Sequence, residues 1–334
     1  MKSYKNKLKT ILIYKMLENE SDEENPVTSS SLIDMLAEYG FECDRKTIYS
    51  DIDALNSIGC DIMKSTGYNG GFFMASRKFE LPEVMLLIDA VTSAGFITPK
   101  KTESLVNKLK TLVSVKQAES MVSHVYVDSN HSKCDNEEVY IIIDKLHDAI
   151  MKRKKVRFIY TRRSIDLHNK RKNTERLFTV SPYALIWKDD HYYLVCNKKK
   201  YDNLMNLRID RMKRLSIVSD DARPVGEVSP YKYEFDAQDY SSKMFNMFSG
   251  KECEVRLKCS LKLQEEMLDR FGASIPLSAS DGGHFETEVN ATLSDGFVSW
   301  LMQYGDDVEV LSPPELIDMI KNKANRILNR YKWD

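Results

Sequence analysis

The chain has 334 residues, 42% of them hydrophobic and 30% charged, with a formal net charge of −1. This mix excludes a disordered or fibrous chain, and the length predicts two or three domains. Near neutrality removes any global pull toward nucleic acid or an anionic membrane, so binding of that kind must come from local patches. No apolar run approaches the roughly 18 residues of a membrane span, and "ILIY" behind the basic N-terminus is too short for a signal peptide. Cytoplasmic residence is the expectation. The six cysteines, at 43, 60, 134, 196, 253 and 259, include no close-spaced pair. That fits reduced thiols rather than a disulfide framework.

Leu8, Ile11, Leu12 and Met16 mark a first helix; Leu32, Met35 and Leu36 mark a second, ended by Gly40. Asp44 is placed to cap a third, in which Ile48, Ile52, Leu55 and Ile58 recur at helical spacing before Gly59. Lys46, Tyr49 and Ser50 point away from that apolar face, and Arg45 lies at its N-terminal edge. Three short helices with a tight turn before the third are the helix-turn-helix pattern. Strands over 60–65 and 72–76 around "GYNGG", where Asn69-Gly70 favours positive φ, add a wing. The alternative is a small helical domain used for protein contact. Residues 1–79 hold ten Lys/Arg against twelve Asp/Glu, yet the first fifteen residues carry five lysines and no acid. The electrostatic footprint is therefore patchy, and tight DNA binding predicts two copies.

Residues 79–138 read as a helical connector, with one stripe at Val84, Leu87, Ile88 and Val91 and another at Leu105, Leu109 and Leu112. It serves as an intramolecular hairpin, a dimerisation element, or both. His124, His131 and Cys134 are three potential metal ligands without a fourth, so no metal site is expected. A helix over 140–155 leads into "VRFIY". From Lys152 to Arg176 there are eleven Lys/Arg against Asp166 and Glu175. That density suits an anion-binding face better than a lysine-protected strand edge. Short strands follow over 176–182, 183–188 and 191–197. Alternation sets His191, Tyr193, Val195 and Asn197 on one face, able to line a pocket, and Tyr192, Leu194 and Cys196 on a core face. Leu207 and Ile209 are out of phase with Met212, Leu215 and Ile217. A bulge or turn near Asp210 would repair the slip and let Arg208 and Arg211 face one site. A salt bridge from the pair to Asp210 or Asp202 is the competing reading.

Residues 221–250 read as a linker. The remainder, 251–334, runs β-α-β-β-α-β in the ferredoxin-like pattern and ends in a helix opened by Ser312 and two prolines. No phosphate loop, zinc-protease helix or nucleophile elbow occurs, and "SASDGGHF" reads as a hairpin, so neither catalysis nor a cofactor is expected.

"DRKTIYSDIDALNSIGCDI…GGFFM" resembles the N-terminal winged helix of the DeoR-like, WYL-containing transcriptional regulators. Their pattern is a capping Ser, Arg-x-Thr-Ile-x-Arg-Asp-Ile, a Leu, a Gly and a Gly-Gly-Tyr wing. Arg45, Thr47, Ile48, Asp51, Ile52, Leu55 and Gly59 match. Asp44 stands for the Ser and Ser50 for the Arg, which removes one phosphate contact. "VSPYALIWKDDHYYLV…NLRIDRMKRLSIV" resembles the WYL domain, with Tyr192-Tyr193-Leu194 as the triplet. "WLMQYGDDVEVLSPPEL" resembles the extension that follows it. The resemblance implies an Sm-like five-stranded β-barrel over 139–220 that binds a nucleotide or nucleic acid. It assigns Tyr183, Tyr193, Arg208 and Arg211 to the effector. Strand position adds Tyr160 and Asn197.

The resulting expectation is an α+β chain. It has a winged helix-turn-helix (1–78), the connector, a ligand-sensing barrel, the linker and a C-terminal extension. The predicted function is an effector-responsive, homodimeric transcriptional regulator. Arg45, Lys46, Thr47, Tyr49 and Ser50 would enter the major groove of duplex DNA, and Lys64 and Asn69 would touch the adjacent backbone. An accessory RNA- or single-strand-binding module, with the helix-turn-helix serving protein contact, is the alternative.

Overall fold

The structure is a computed structural model and describes residues 2–66, 70–121, 133–165, 171–280 and 282–331. The chain is α+β and forms two compact units, Met1–Asp135 and Asn136–Asp334.

In the first unit, α1 (Lys2–Glu20), α2 (Ser29–Glu38) and α3 (Arg45–Ser57) precede an antiparallel ribbon of β1 (Ile62–Lys64) and β2 (Phe72–Met74). Ile13, Leu17, Leu32, Leu36, Ile48, Ile52 and Leu55 make the core with Ile62 and Phe72. The first helix buries the C-terminal half of the expected stripe, with Met16 in the core and Leu12 packed on it, but not the N-terminal half. Leu8 and Ile11 remain 42% and 53% exposed, while Ile13 and Leu17 are fully buried. The consecutive apolar run at 11–13 had left that phase ambiguous. Val27 bridges Phe72 beside the ribbon, and a Cβ at Gly71 would lie 2.6 Å from the Val27 carbonyl oxygen, so only glycine admits this approach.

Two polar ties brace this unit. Buried Lys9 pairs with Asp51 at 2.9 Å, and Thr10 donates to the same carboxylate, joining α1 to α3. The connector helices α4 (Leu81–Ser93), α5 (Pro99–Lys110) and α6 (Val115–Ser120) follow. Ser114, which caps α6, donates to Asp22 in the loop after α1, and both residues are buried. Removing one partner of a buried ion pair leaves the other charge uncompensated. Asp51→Ala is expected to lower the unfolding free energy of the first unit by about 3 kcal/mol, read by urea denaturation.

The second unit opens with α7 (Val139–Met151). Five strands follow: β3 (Lys154–Ile165), β4 (Arg171–Lys188), β5 (His191–Asn197), β6 (Met205–Arg208) and β7 (Met212–Asp221). They form one antiparallel sheet in the order β6-β5-β4-β3-β7. The strands expected at 176–182 and 183–188 are a single long strand. Its first part pairs with β3 as far as Val180, its last part pairs with β5 from Ser181, and the register slips between Pro182 and Ala184. Proline lacks the N–H a regular ladder needs, and a bulge accommodates it. Edge strands β6 and β7 are joined by the 3-10 turn Ile209–Arg211, so the sheet curls. No ladder among the described residues pairs these two edges, so the expected closed barrel is an open, curled sheet.

Helix α7 fills one side of this sheet with Ile142, Leu146 and Ala149 against Phe158, Leu194, Cys196 and Met212. The segment expected as a linker covers another part. Val228, Tyr240, Met244 and Met247, with the short helix α8 (Ala237–Ser242), pack on Ile186, Val195 and Leu204. The C-terminal elements are β8 (Lys251–Ser260), α9 (Gln264–Phe271), β9 (Leu277–Ala279), β10 (His284–Leu293), α10 (Asp295–Met302), β11 (Val308–Ser312) and α11 (Pro314–Arg330). Their antiparallel sheet has the order β11-β8-β10-β9. No described helix is long and apolar enough to cross a membrane.

Two cations clamp the packed segment. Lys188, ending β4, donates to the Ser241 and Met244 carbonyls. Arg270 of α9 donates to those of Ser242 and Met244 and lies 4.0 Å over the Phe245 ring. Burial, aided by the Arg270 charge, pushes the Lys188 ammonium down to about 8 from the ordinary 10.5. Between those two pH values the unfolded chain holds a proton that the folded chain has lost, so this group favours folding increasingly as pH rises. The penalty for its charge is fully present below pH 8. The stability difference between wild type and Lys188→Met, measured by chemical denaturation across that interval, is expected to move in favour of wild type.

Candidate functional site

The outward face of α3 is built from its cap. The Asp44 carboxylate accepts from the Thr47 amide at 2.8 Å and its hydroxyl at 2.7 Å, and these bonds hold the carboxyl below its usual range. The Thr47 hydroxyl is thereby committed to the helix start. Arg45 donates to Ser30 at the head of α2 at 3.1 Å. Lys46 and Ser50 are exposed. Tyr49, 39% exposed, meets Phe72 of β2 edge-on at 5.1 Å and carries the Lys64 ammonium 5.1 Å from its ring centre. This contact joins helix and ribbon and presents Lys64 beside them. Asn69 lies outside the described residues. Asp53, unremarked in the sequence reading, is exposed seven positions after Lys46 and so shares its face. The cationic part of α3 is its N-terminal half.

In the second unit, the turn at Ile209–Arg211 falls where the phase slip required one. Tyr160, buried on β3, accepts from the Arg208 amide at 3.3 Å, and the Arg211 charge acts on its hydroxyl. Burial raises the Tyr160 hydroxyl, with both arginines pulling against it. Arg208 is already engaged. Its Nε donates to Asp210 Oδ1 at 3.0 Å, and its Nη2 donates to Oδ2 at 2.7 Å. Its Nη1 meets His191 Nε2 at 2.5 Å. A guanidinium only donates, so His191 accepts there and places its own proton on Nδ1, toward the Asp190 carbonyl at 2.9 Å. Burial and the Arg208 charge keep this imidazole below its usual pKa. Burial opposes the Arg208 charge too, but Asp210 outweighs it and the guanidinium holds its proton more tightly. Tyr193 pairs across the ladder with Arg208, and burial raises its hydroxyl.

Tyr160, Tyr193, Arg208 and Arg211 thus gather with His191 and Asp210, whereas Tyr183 and Asn197 do not join them. Asn197 is four residues further along β5, or about 13 Å. Fully buried Asn197 donates to the Tyr201 and Asn203 carbonyls at 2.7 and 2.9 Å, pinning the loop before β6. Tyr183 donates to the Arg223 carbonyl at 2.9 Å, and burial pushes it up to about 12. The face expected to line a pocket at Tyr193 and Val195 is packed by residues 228–247. A cavity of about 300 Å³ lies beyond it, lined by Leu204, Val228, Tyr231, Tyr240, Ser249 and Glu252. The competing salt bridge holds for Arg208 with Asp210, while Asp202 pairs with Arg223. An acid between two arginines in "RIDR" was the available signal for this.

Among the proposed metal ligands, His124 and His131 lie outside the described residues and Cys134 is buried. Among the described residues no His, Cys, Asp and Glu group is arranged to hold a metal. In "SASDGGHF" the Ser280 amide donates to the His284 carbonyl, tying β9 to β10, and Asp281 lies outside the described residues.

Comparison with known families finds a WYL domain at residues 142–217 and a WCX domain at 251–328. These two domains, with the relative below, support a WYL-domain transcriptional regulator. It is similar to the uncharacterized HTH-type transcriptional regulator YobV of Bacillus subtilis (strain 168), with 20% identity over 302 residues, 87% of this chain and 91% of that protein. Among solved structures, proteasome accessory factor B/C of Arthrobacter aurescens matches at 15% identity with a TM-score of 0.28, over 97% of this chain and 49% of that one. The chain therefore spans about half the length of that structure. A CRISPR Cas-related protein matches at 15% identity with a TM-score of 0.36, over 86% of this chain and 74% of that one.

The two groups of residues separate by their effect on stability. Asn197→Ala strands two carbonyls and is expected to cost about 2 kcal/mol, whereas Arg211→Ala on the exposed turn costs less than about 1 kcal/mol, both by urea denaturation.

Proposed function

We propose that the chain is an effector-responsive, DNA-binding transcriptional regulator, cytoplasmic and homodimeric. In this reading residues 1–78 act as a winged helix-turn-helix. The five-stranded sheet acts as an Sm-like sensor, and the C-terminal unit is a ferredoxin-like extension that supports dimer contact. The observation that carries the DNA-binding half is the contact of Tyr49 with Phe72 and Lys64. It makes the α3 face and the ribbon one surface, cationic at the end where a recognition helix reads base edges. Arg45, Lys46, Thr47, Tyr49 and Ser50 would face the major groove, and Lys64 and Asn69 the adjacent phosphates. The likeness to an HTH-type regulator supports the same reading.

The effector is a nucleotide or a nucleic acid. Tyr193 offers a ring, Arg208 and Arg211 offer cations, and the buried Tyr160 would take part through its hydroxyl, a combination that suits bases and phosphates. Effector control requires that the ligand prefer one of the chain's arrangements.

Fluorescence anisotropy with duplexes from upstream of its own gene, against a shuffled duplex, tests the DNA half. Selective binding that weakens steeply with salt is expected. Arg45→Ala with Lys46→Ala should weaken it by about tenfold or more. Equal binding to the shuffled duplex with tight single-strand binding would instead favour the accessory single-strand module.

A further inference from the structure

The Arg208 fork in this structure is not vacant. Its two parallel donors grip both Asp210 oxygens, at 3.0 and 2.7 Å, in the bidentate arrangement that guanidinium groups also use for phosphate. The third side is filled by the neutral His191 imidazole. Any anion that approaches Arg208 must first compete with a carboxylate tethered two residues away.

Tethering sets what can win. An internal phosphodiester carries one negative charge, as Asp210 does, and lacks the tether's advantage. A terminal phosphate carries nearly two charges at neutral pH and three acceptor oxygens. The chain's own carboxylate therefore filters for ligands that end in a phosphate.

Displacement has a consequence for the backbone. Asp210 belongs to the 3-10 turn Ile209–Arg211. The carbonyls of Asp210 and Met212 accept from the Asn136 side-chain amide at 3.2 and 2.6 Å. Asn136 is buried, and its own side-chain oxygen accepts from the Glu138 amide at 3.0 Å where α7 begins. It is also the first residue of the second unit. The turn that carries Asp210 is bolted to the point where the chain enters this unit.

Resting on the effector reading above, we propose that Asp210 is an internal stand-in for the effector's terminal phosphate. A ligand bearing that group takes the Arg208 fork from Asp210, and the freed turn alters its hold on Asn136. Asp210 sets specificity and Asn136 is a positioning residue that transmits occupancy.

The test uses the full-length protein and isothermal titration with adenosine 5′-monophosphate, adenosine, and one short single-stranded oligonucleotide with and without a 5′-phosphate. Wild type is expected to bind the phosphorylated member of each pair more tightly, and Arg208→Ala to lose that preference. Asp210→Asn, which keeps the shape and removes the charge, should tighten the phosphorylated probes about tenfold, the scale of one charge-assisted bond, and leave the others unchanged. Asn136→Ala should retain probe binding within about twofold while the probe's effect on duplex affinity, about tenfold in wild type, disappears. Should Asp210→Asn fold poorly, the Arg208 Nε–H resonance of wild type gives a second readout. It should shift with adenosine 5′-monophosphate and not with adenosine. If phosphorylated probes bind through Arg208 but Asp210→Asn binds them no better, the stand-in is overturned while the effector site stands. If no probe binds wild type or Asp210→Asn, the effector reading falls with it.

Discussion

Pro182 has no amide hydrogen to give, and β4 changes partners there. As far as Val180 the strand belongs with β3; from Ser181 it belongs with β5, with a one-residue slip just after Pro182. A regular ladder across eighteen residues would hold these strands in a flatter sheet. The bulge lets the sheet curl, which allows three residues at 209–211 to connect the two edge strands. The curl creates the concavity that α7 fills and brings Tyr160 of β3 to the end of β6. Without it, Tyr160 of β3 would be separated from Arg208 of β6 by the two strands between them in a flat sheet.

The same curl leaves Val195, Ile186 and Leu204 needing cover, and residues 228–247 supply it. This cover has little regular structure of its own, being one short helix and irregular chain. It stays in place through apolar burial and through four carbonyl contacts from Lys188 and Arg270. Cations at exposed helix C-termini usually contribute little. Here two of them, from different domains, converge on adjacent carbonyls. Burial makes the lysine's charge costly, as its lowered pKa records.

The sequence was most legible where periodicity was strict. The 48-52-55 face of α3, the alternation along β5 and the phase break at Asp210 each mapped onto what forms, whereas Ile58, expected on the same stripe, lies past the end of α3 and is 77% exposed. Legibility failed where apolar residues were dense or aperiodic. "ILIY" contains apolar residues on more than one helical face, so α1's buried side could not be chosen from spacing. Tyr240, Met244 and Met247 lie four and three apart, but that short stripe follows Pro224, Gly226 and Pro230 and an isolated Val228, and the stretch reads as a loop. The effector set split for a related reason. Strand parity put Tyr193 and Asn197 on one face, but parity carries no distance, and the residues that hold Asn197 sit in a loop. Asn136 gave no signal because its partners are backbone carbonyls some seventy-five residues away, an order of separation that spacing rules do not address.

The Lys188–Arg270 clamp also bears on how such proteins can be recombined. A cut at either end of 221–250 looks safe from composition, since Pro224, Gly226 and Pro230 give its start the look of a tether. The packed segment is instead an outer layer of one domain and a docking rail for the next. A WCX domain grafted from another protein would bring whatever residue stands at the position of Arg270 to a rail shaped by the host. A graft that retains both the rail and the residue facing it preserves the contact. A graft that separates them leaves a half-buried lysine and several carbonyls facing an unmatched surface.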